Sequence, residues 1–294
     1  MKSISLAATH NGVFHTDDVF AVAILKMLYP SMKVIRTRDP TQYGRADICV
    51  DVGRKYNPSK GHFDHHQETF RMKRNGIPYA SAGLIWKHFG YRLAKNKIVF
   101  EYIDKKLLQP IDALDNGIAL YREPIVQPYT LQKIIDLFNP SWTVEKEDYT
   151  SEFNDAVAFA MDILRLEIEK AKLIPRAQSI VRKALHEAAR RHKKYIVLPS
   201  PTPPWKGILS HTRNILFVVY KQGKTSWCVH AVPVAGEEFK NKKSLPRTWA
   251  DKADQDLARI SGVRDAYFCH KNLFIACAKS KEGAIMLAEK AVRA

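Results

Sequence analysis

The feature that most limits how this chain can fold is an apolar run that stops abruptly in chemistry. Residues 3–29 read "SISLAATHNGVFHTDDVFAVAILKMLY": a short apolar stretch, a turn rich in His and Asp, then apolar residues at helical spacing that Pro30 halts. Strand, polar turn and helix in that order form the opening unit of an α/β domain. Two further strand-like runs follow, "KVIRTRD" and "DICVDVG", and then an amphipathic helical stretch, "SAGLIWKHFGYRLA". The alternation predicts a mainly parallel sheet, and in such sheets ligands gather beyond the carboxyl ends of the strands. His10 follows the first strand and Asp51 closes the third, so both point to one sheet edge.

That edge is crowded with groups that a folding core has little use for. Buried carboxylates and imidazoles must be paired, hydrogen-bonded or metal-bound to offset desolvation. His10, His15, Asp17 and Asp18 lie within one turn, where Gly12 lets the backbone bend, and Asp17 and Asp18 also suit the start of a helix as caps. Residues 50–70, "VDVGRKYNPSKGHFDHHQETF", add Asp51, Asp64, His65 and His66. Further on, "VFEYIDKKLLQPIDALDNG" places Asp112 and Asp115 three residues apart on one helix face, with a kink at Pro110 and a stop at Asn116-Gly117. Imidazole and carboxylate without thiolate suit manganese, magnesium, cobalt or zinc, and disfavour a structural zinc site. Two divalent ions about 3.5–4 Å apart need a shared carboxylate, and Asp51, held at a strand end, is the candidate bridge.

Asp64-His65-His66 is the motif for which the DHH phosphoesterase superfamily is named. With "THNGVFHTDDVFA", "SAGLIWKHFG" and "DALDNG", the chain resembles the family of the melanocyte-proliferating-gene exonuclease, most strongly in the first 145 residues. The resemblance implies a two-domain fold with metals in the cleft and a metal-dependent 3′-to-5′ RNA exonuclease activity. It also implies roles. His10 and His15 would join Asp51 on one ion, and Asp17, His65 and either Asp112 or Asp115 would join Asp51 on the other, manganese being the first choice of metal. His66 would contact the scissile phosphate, with Asp64 orienting its histidine neighbours. Many relatives carry a Gly-Gly-His element near the C-terminus; here "FIACAKSKEGA" sets Ala276, Cys277 and Ala278 in its place.

At 294 residues the chain suits two domains better than one, and a net charge of +17 favours an anionic partner, nucleic acid before lipid. The expected divisions are a metal-binding domain over 1–150, a basic helical connector over 151–194 and a smaller α+β domain over 195–294. Arg190, Arg191, Lys193 and Lys194 in "RRHKKY", with Lys242 and Lys243, are candidate phosphate-backbone contacts, against the ordinary reading of a solvated face. Trp227 reads as a packing residue, while Trp205 and Trp249 could stack on bases or fill a core. Four cysteines without a C-x-x-C pair read as reduced, buried thiols. No apolar stretch has the length of a signal-peptide core or a membrane span, so the expectation is a soluble, cytoplasmic protein whose oligomeric state is left open. The rival functions are a hydrolase of pyrophosphate, polyphosphate or short oligonucleotides, and a non-catalytic RNA-binding protein.

Overall fold

In the computed structural model, which describes residues 3–121, 125–144 and 148–294, the chain divides into two compact units, Met1–Lys172 and Leu173–Ala294. The stretch expected as a connector supplies a long helix to each.

The first unit begins with β1 (Leu6–Thr9), α1 (Thr16–Leu28), β2 (Lys33–Arg36) and β3 (Ile48–Val50), followed by β4 (Tyr56–Asn57) and β5 (His62–Phe63). The strands form one sheet in the order β2-β1-β3-β5-β4. All neighbours are parallel except β4, which runs antiparallel at the edge. This is the mainly parallel α/β sheet expected from the alternation. A hairpin of β6 (Lys73–Arg74) and β7 (Ile77–Pro78) leads into the helices. Helix α2 runs through Ser81–Ile85, a π-helical turn at Trp86–Gly90 and Tyr91–Ala94. Helix α3 runs through Lys97–Ile103, a second π-helical turn at Asp104–Leu108 and Gln109–Asp115. That turn accounts for Pro110: Gln109 N donates to Asp104 O, five residues back, so the helix passes the missing proline donor by widening before it. Helices α4 (Leu131–Asp136) and α5 (Thr150–Ala171) complete the unit. Helix α1 packs against α2 and α5, and every residue from Val19 to Leu25 is fully buried. A helix apolar on all sides is what "VFAVAIL" requires.

The second unit contains α6 (Ile174–Arg190), β8 (Tyr195–Val197), β9 (Phe217–Gln222), β10 (Ser226–Ala231), a hairpin of β11 (Pro233–Val234) and β12 (Glu237–Asn241), α7 (Asp254–Ser261), β13 (Ala266–Cys269), β14 (Ile275–Ala278) and α8 (Lys281–Arg293). Its main sheet has the order β13-β14-β10-β9-β8. Ala284, Leu287, Ala288 and Ala291 of α8 cover one face, over Phe217, Val219 and Val229. Val181 and Ala188 of α6 cover the other, with Ile196 and Val218. Trp205 and Trp249 lie within these two cores, which assigns both to packing rather than base stacking.

One expectation is corrected here. Cys228 and Cys277 are joined in a disulfide, not held as thiols. Antiparallel pairing of β10 with β14 sets them directly opposite each other, their Cα atoms 4.0 Å apart. Strand register is a long-range property, invisible in the spacing of the cysteines along the chain. Cys49 and Cys269 are buried and free. Ala276 and Ala278, which flank Cys277, are core residues of β14. No helix among the described residues is long and apolar enough to cross a membrane.

Candidate metal centre

Adjacent parallel pairing of β1 and β3, with Ala7 beside Ile48 and Ala8 beside Cys49, brings the strand ends together. His10 and Asp51 therefore emerge side by side. The chain leaves β3 in an unusual conformation: Asp51, Gly53 and Arg54 all have positive φ, at 54°, 93° and 50°. For a residue with a side chain this conformation is strained by ~1–3 kcal/mol and persists only where its surroundings fix it. Here it turns the Asp51 carboxylate into a nest of imidazoles. Oδ2 lies 3.4 Å from His10 Nε2, and Oδ1 lies 3.4 Å from both His65 Nε2 and His66 Nδ1. Ser81, at the start of α2, donates its hydroxyl to Oδ1 at 3.0 Å and its backbone N–H to Asp17 Oδ2 at 3.3 Å.

The first turn of α1 and the last turn of α3 supply the rest. His65 Nε2 sits 3.2 Å from Asp115 Oδ2 and 3.9 Å from Asp17 Oδ2. Asp18 caps α1 as expected, its Oδ1 accepting from the His15 and Val19 amides at 2.8 and 2.9 Å. Its Oδ2 faces His10 Nε2 at 3.4 Å. Side-chain donor atoms gather in three overlapping groups: His10, His15 and Asp51; Asp51, His65 and His66; His15, Asp17 and Asp115. Arg36 secures the intervening turn, Nη2 donating to Gly12 O at 2.6 Å.

The electrostatics show a site short of positive charge. Burial, then repulsion from Asp51, Asp115 and Asp18, pushes the Asp17 carboxyl well above its ordinary range. Burial pushes Asp18 up to about 7 and raises Asp115, in each case against the pull of a nearby histidine. Asp51 goes the other way: burial raises it, but the attraction of the His10, His65 and His66 imidazoles overcomes that and holds it well below. Among the described residues, Asp17 Oδ1, Asp18 Oδ2 and His65 Nε2 are buried without a hydrogen-bond partner. Buried polar atoms without a partner are costly; Asp17 and His65 belong to the donor groups above, and Asp18 Oδ2 faces His10, a member of the first. The residues present therefore fit divalent cations held by imidazole and carboxylate.

Asp64 stands outside the three donor groups. Its Oδ2 accepts from the Arg54 amide at 2.6 Å, and its Oδ1 accepts from the His66 amide and ring Nδ1, both at 2.9 Å. Hydrogen bonds to Asp51 and Asp64 push His66 up to about 10. Asp112 is not brought to the cluster. It is fully buried one turn earlier, paired with Arg74 Nη1 at 2.6 Å and accepting from Gly83 N at 3.0 Å. A side chain at Gly83 would run into that carboxylate, which explains the glycine in "SAGL". Sequence reasoning passed over Asp18 as more than a cap, and Ser81; the signal for Ser81 was its place opening a helix that follows the motif.

The basic candidates divide. Arg190, Arg191 and Lys194 are exposed and have no ion-pair partner among the described residues. Lys193 is also exposed but pairs with Glu289 at 2.6 Å. Lys242 is turned inward, donating to the carbonyls of Leu209 and Thr212, and Lys243 donates to Val292 O at 2.9 Å. The expectation that these two reach for phosphate is corrected: backbone carbonyls left over from a helix end and a turn have claimed both ammonium groups.

The MYG1_exonuc family model, described as an uncharacterised protein family (UPF0160), matches residues 6–292. The chain belongs to the MYG1 family. This is the family its motifs resemble. The MYG1 exonuclease of Rattus norvegicus is 30% identical, over 95% of this chain and 82% of its own length. The MYG1 protein of Dictyostelium discoideum is 33% identical, over 96% of this chain and 94% of its own. A crystal structure of the exonuclease RecJ bound to manganese covers 98% of this chain and 90% of its own at 14% identity, with a TM-score of 0.30, too loose a match to bear on the site. In this MYG1 chain the cluster opens, through His10, His15, Asp51 and His66, into a cavity of about 450 Å³ that Arg38 and Arg54 also line.

Proposed function

We propose that this MYG1 family chain is a two-metal phosphodiester hydrolase that removes nucleotides from the 3′ end of RNA. The observation that carries the reading is Asp51: its two carboxylate oxygens address different imidazoles, Oδ2 toward His10 and Oδ1 toward His65 and His66. A carboxylate so placed suits two cations at once. The names of its relatives, MYG1 exonuclease among them, support a nucleic-acid substrate.

His10, His15 and Asp51 would hold one ion, with the Asp18 carboxylate beside them, and Asp17, Asp51, His65 and Asp115 the other. Manganese is favoured by the mixed set of imidazole and carboxylate, which also accepts magnesium, cobalt or zinc. Bound there, the ions would activate water and neutralise charge on the attacking and leaving oxygens. The remaining residues position and donate. With Nδ1 tied to Asp64, His66 offers Nε2–H to a non-bridging phosphate oxygen, where negative charge grows during in-line displacement. Ser81 fixes the orientation of Asp51. Arg190, Arg191, Lys193 and Lys194 supply backbone contacts that carry no sequence information.

The test is a panel of end-labelled RNA and DNA, dinucleotides and pyrophosphate, incubated with manganese or magnesium. The reading expects RNA shortened stepwise from its 3′ end and only with metal. Hydrolysis confined to pyrophosphate, or none with any metal, would overturn it.

A further inference from the structure

A second cavity reaches the cluster from another side. It occupies about 280 Å³ and includes Asp17 and Asp115 in its lining. It shares no lining residue with the cavity of Arg38 and Arg54, so the two spaces meet the cluster through different ligands. Their chemistry differs as well. The first is walled by cationic and imidazole groups. The second is walled mainly by Ile111, Leu114 and Leu131 with Tyr121 and Tyr129, and its one cation among the described residues, Lys106, is paired with Glu167 at 2.8 Å.

Those two rings are 56% and 66% exposed. They belong to a segment in which Ile118, Leu120, Ile125 and Val126 are also exposed. So much apolar surface turned to solvent beside a polar site marks a place where something docks. The cavity falls just below the usual lower end for small-ligand sites, about 300 Å³, which suits one ring system and not a folded chain. It opens into a wider groove bordered by Gln127 and Lys133, so a ligand can enter and leave.

We infer that this apolar cavity seats the nucleobase of the terminal nucleotide, the one released by hydrolysis. The inference rests on the phosphodiesterase reading of the metal centre. With the scissile phosphate at the cluster, the base of one flanking nucleotide lies against Leu114, Tyr121 and Tyr129, and Arg38 and Arg54 are left for phosphates on the other side. Tyrosine rings stack on the π-face of any base. The seat therefore selects for the presence of a base and not for its identity, as removal of successive nucleotides from a mixed sequence requires.

The experiment is calorimetric binding of adenosine 5′-monophosphate and of ribose 5-phosphate, in the presence of manganese, and needs no turnover. The two ligands share the sugar and phosphate and differ in the base. Wild-type protein should bind the nucleotide about tenfold more tightly, the scale of one stacked base. The double variant Tyr121→Ala/Tyr129→Ala should lose that advantage while its affinity for ribose 5-phosphate stays the same. Leu114→Trp, which fills the cavity from another wall, should do the same, and melting curves establish that both variants fold. Equal affinity of wild-type protein for the two ligands, no binding of the nucleotide, or an advantage preserved in both variants would overturn the seat. Base-dependent binding by a protein that cleaves no phosphodiester would instead overturn the hydrolase reading and leave the seat standing.

Discussion

Asp112 and Asp115 sit three residues apart on one helix, yet their replacement should have opposite consequences. Asp112→Asn keeps the size of the side chain and removes its charge, leaving Arg74 with Asp104 alone, 2.9 Å from its Nε. Breaking a buried ion pair by removing one partner costs about 3–5 kcal/mol. Because Asp104 still answers the guanidinium, the loss falls at the lower end, about 3 kcal/mol. At roughly 2–4 °C per kcal/mol for a unit of this size, the first unit should melt about 6–12 °C lower. Its metal content per folded molecule should not change. Asp115→Asn removes one of several crowded carboxylates beside His65, so it should leave the metal-free melting temperature nearly unchanged and reduce metal uptake. The assay is scanning calorimetry in chelator, which separates stability from metal binding, with elemental analysis after reloading. An Asp112→Asn protein that loses metal while melting normally would refute the assignment of Asp112 to the fold and Asp115 to the site.

Two other perturbations read the division of labour. His66→Gln should retain the metals and slow single-turnover cleavage by about a hundredfold or more, the loss expected for a transition-state hydrogen bond; His65→Gln should lose metal instead, and the reverse pattern would exchange the two roles. Replacing Arg190, Arg191 and Lys194 together with Ala should flatten the salt dependence of long-RNA binding by about 2 in log–log slope, at about 0.7 per phosphate contact on a single strand. Turnover of a dinucleotide should be untouched, and equal losses on both substrates would count against a backbone-binding role.

Much of this was written in the order of residues. An apolar stretch ending in His10, and another ending in Asp51, suffice to predict two strand ends at one edge, because parallel strands in an alternating α/β chain direct their carboxyl ends the same way. What stayed hidden depended on contacts between distant segments. Helical spacing puts Asp112 and Asp115 on one face but cannot say that Gly83 and Arg74 lie across from the first and His65 from the second. Asp18 looked like a cap and is one; only the fold shows its second oxygen turned toward His10. Lys242 and Lys243 read as free charge because nothing near them in sequence reveals which backbone carbonyls they will meet. The Cys228–Cys277 bond required the register of two strands that are far apart along the chain.

Metal titration of purified protein shows whether Asp51 holds two cations together, with no reliance on turnover. Apo protein is titrated with manganese by calorimetry, with ions per chain counted independently by elemental analysis, for wild type and for Asp51→Asn. The substitution keeps the shape of the side chain and removes the negative charge that faces His10 on one side and His65 on the other. Joint binding at Asp51 predicts two ions per wild-type chain and a loss of at least one, with loss of hydrolysis, in Asp51→Asn. A single ion in the wild type, or two ions and full activity in Asp51→Asn, would contradict it.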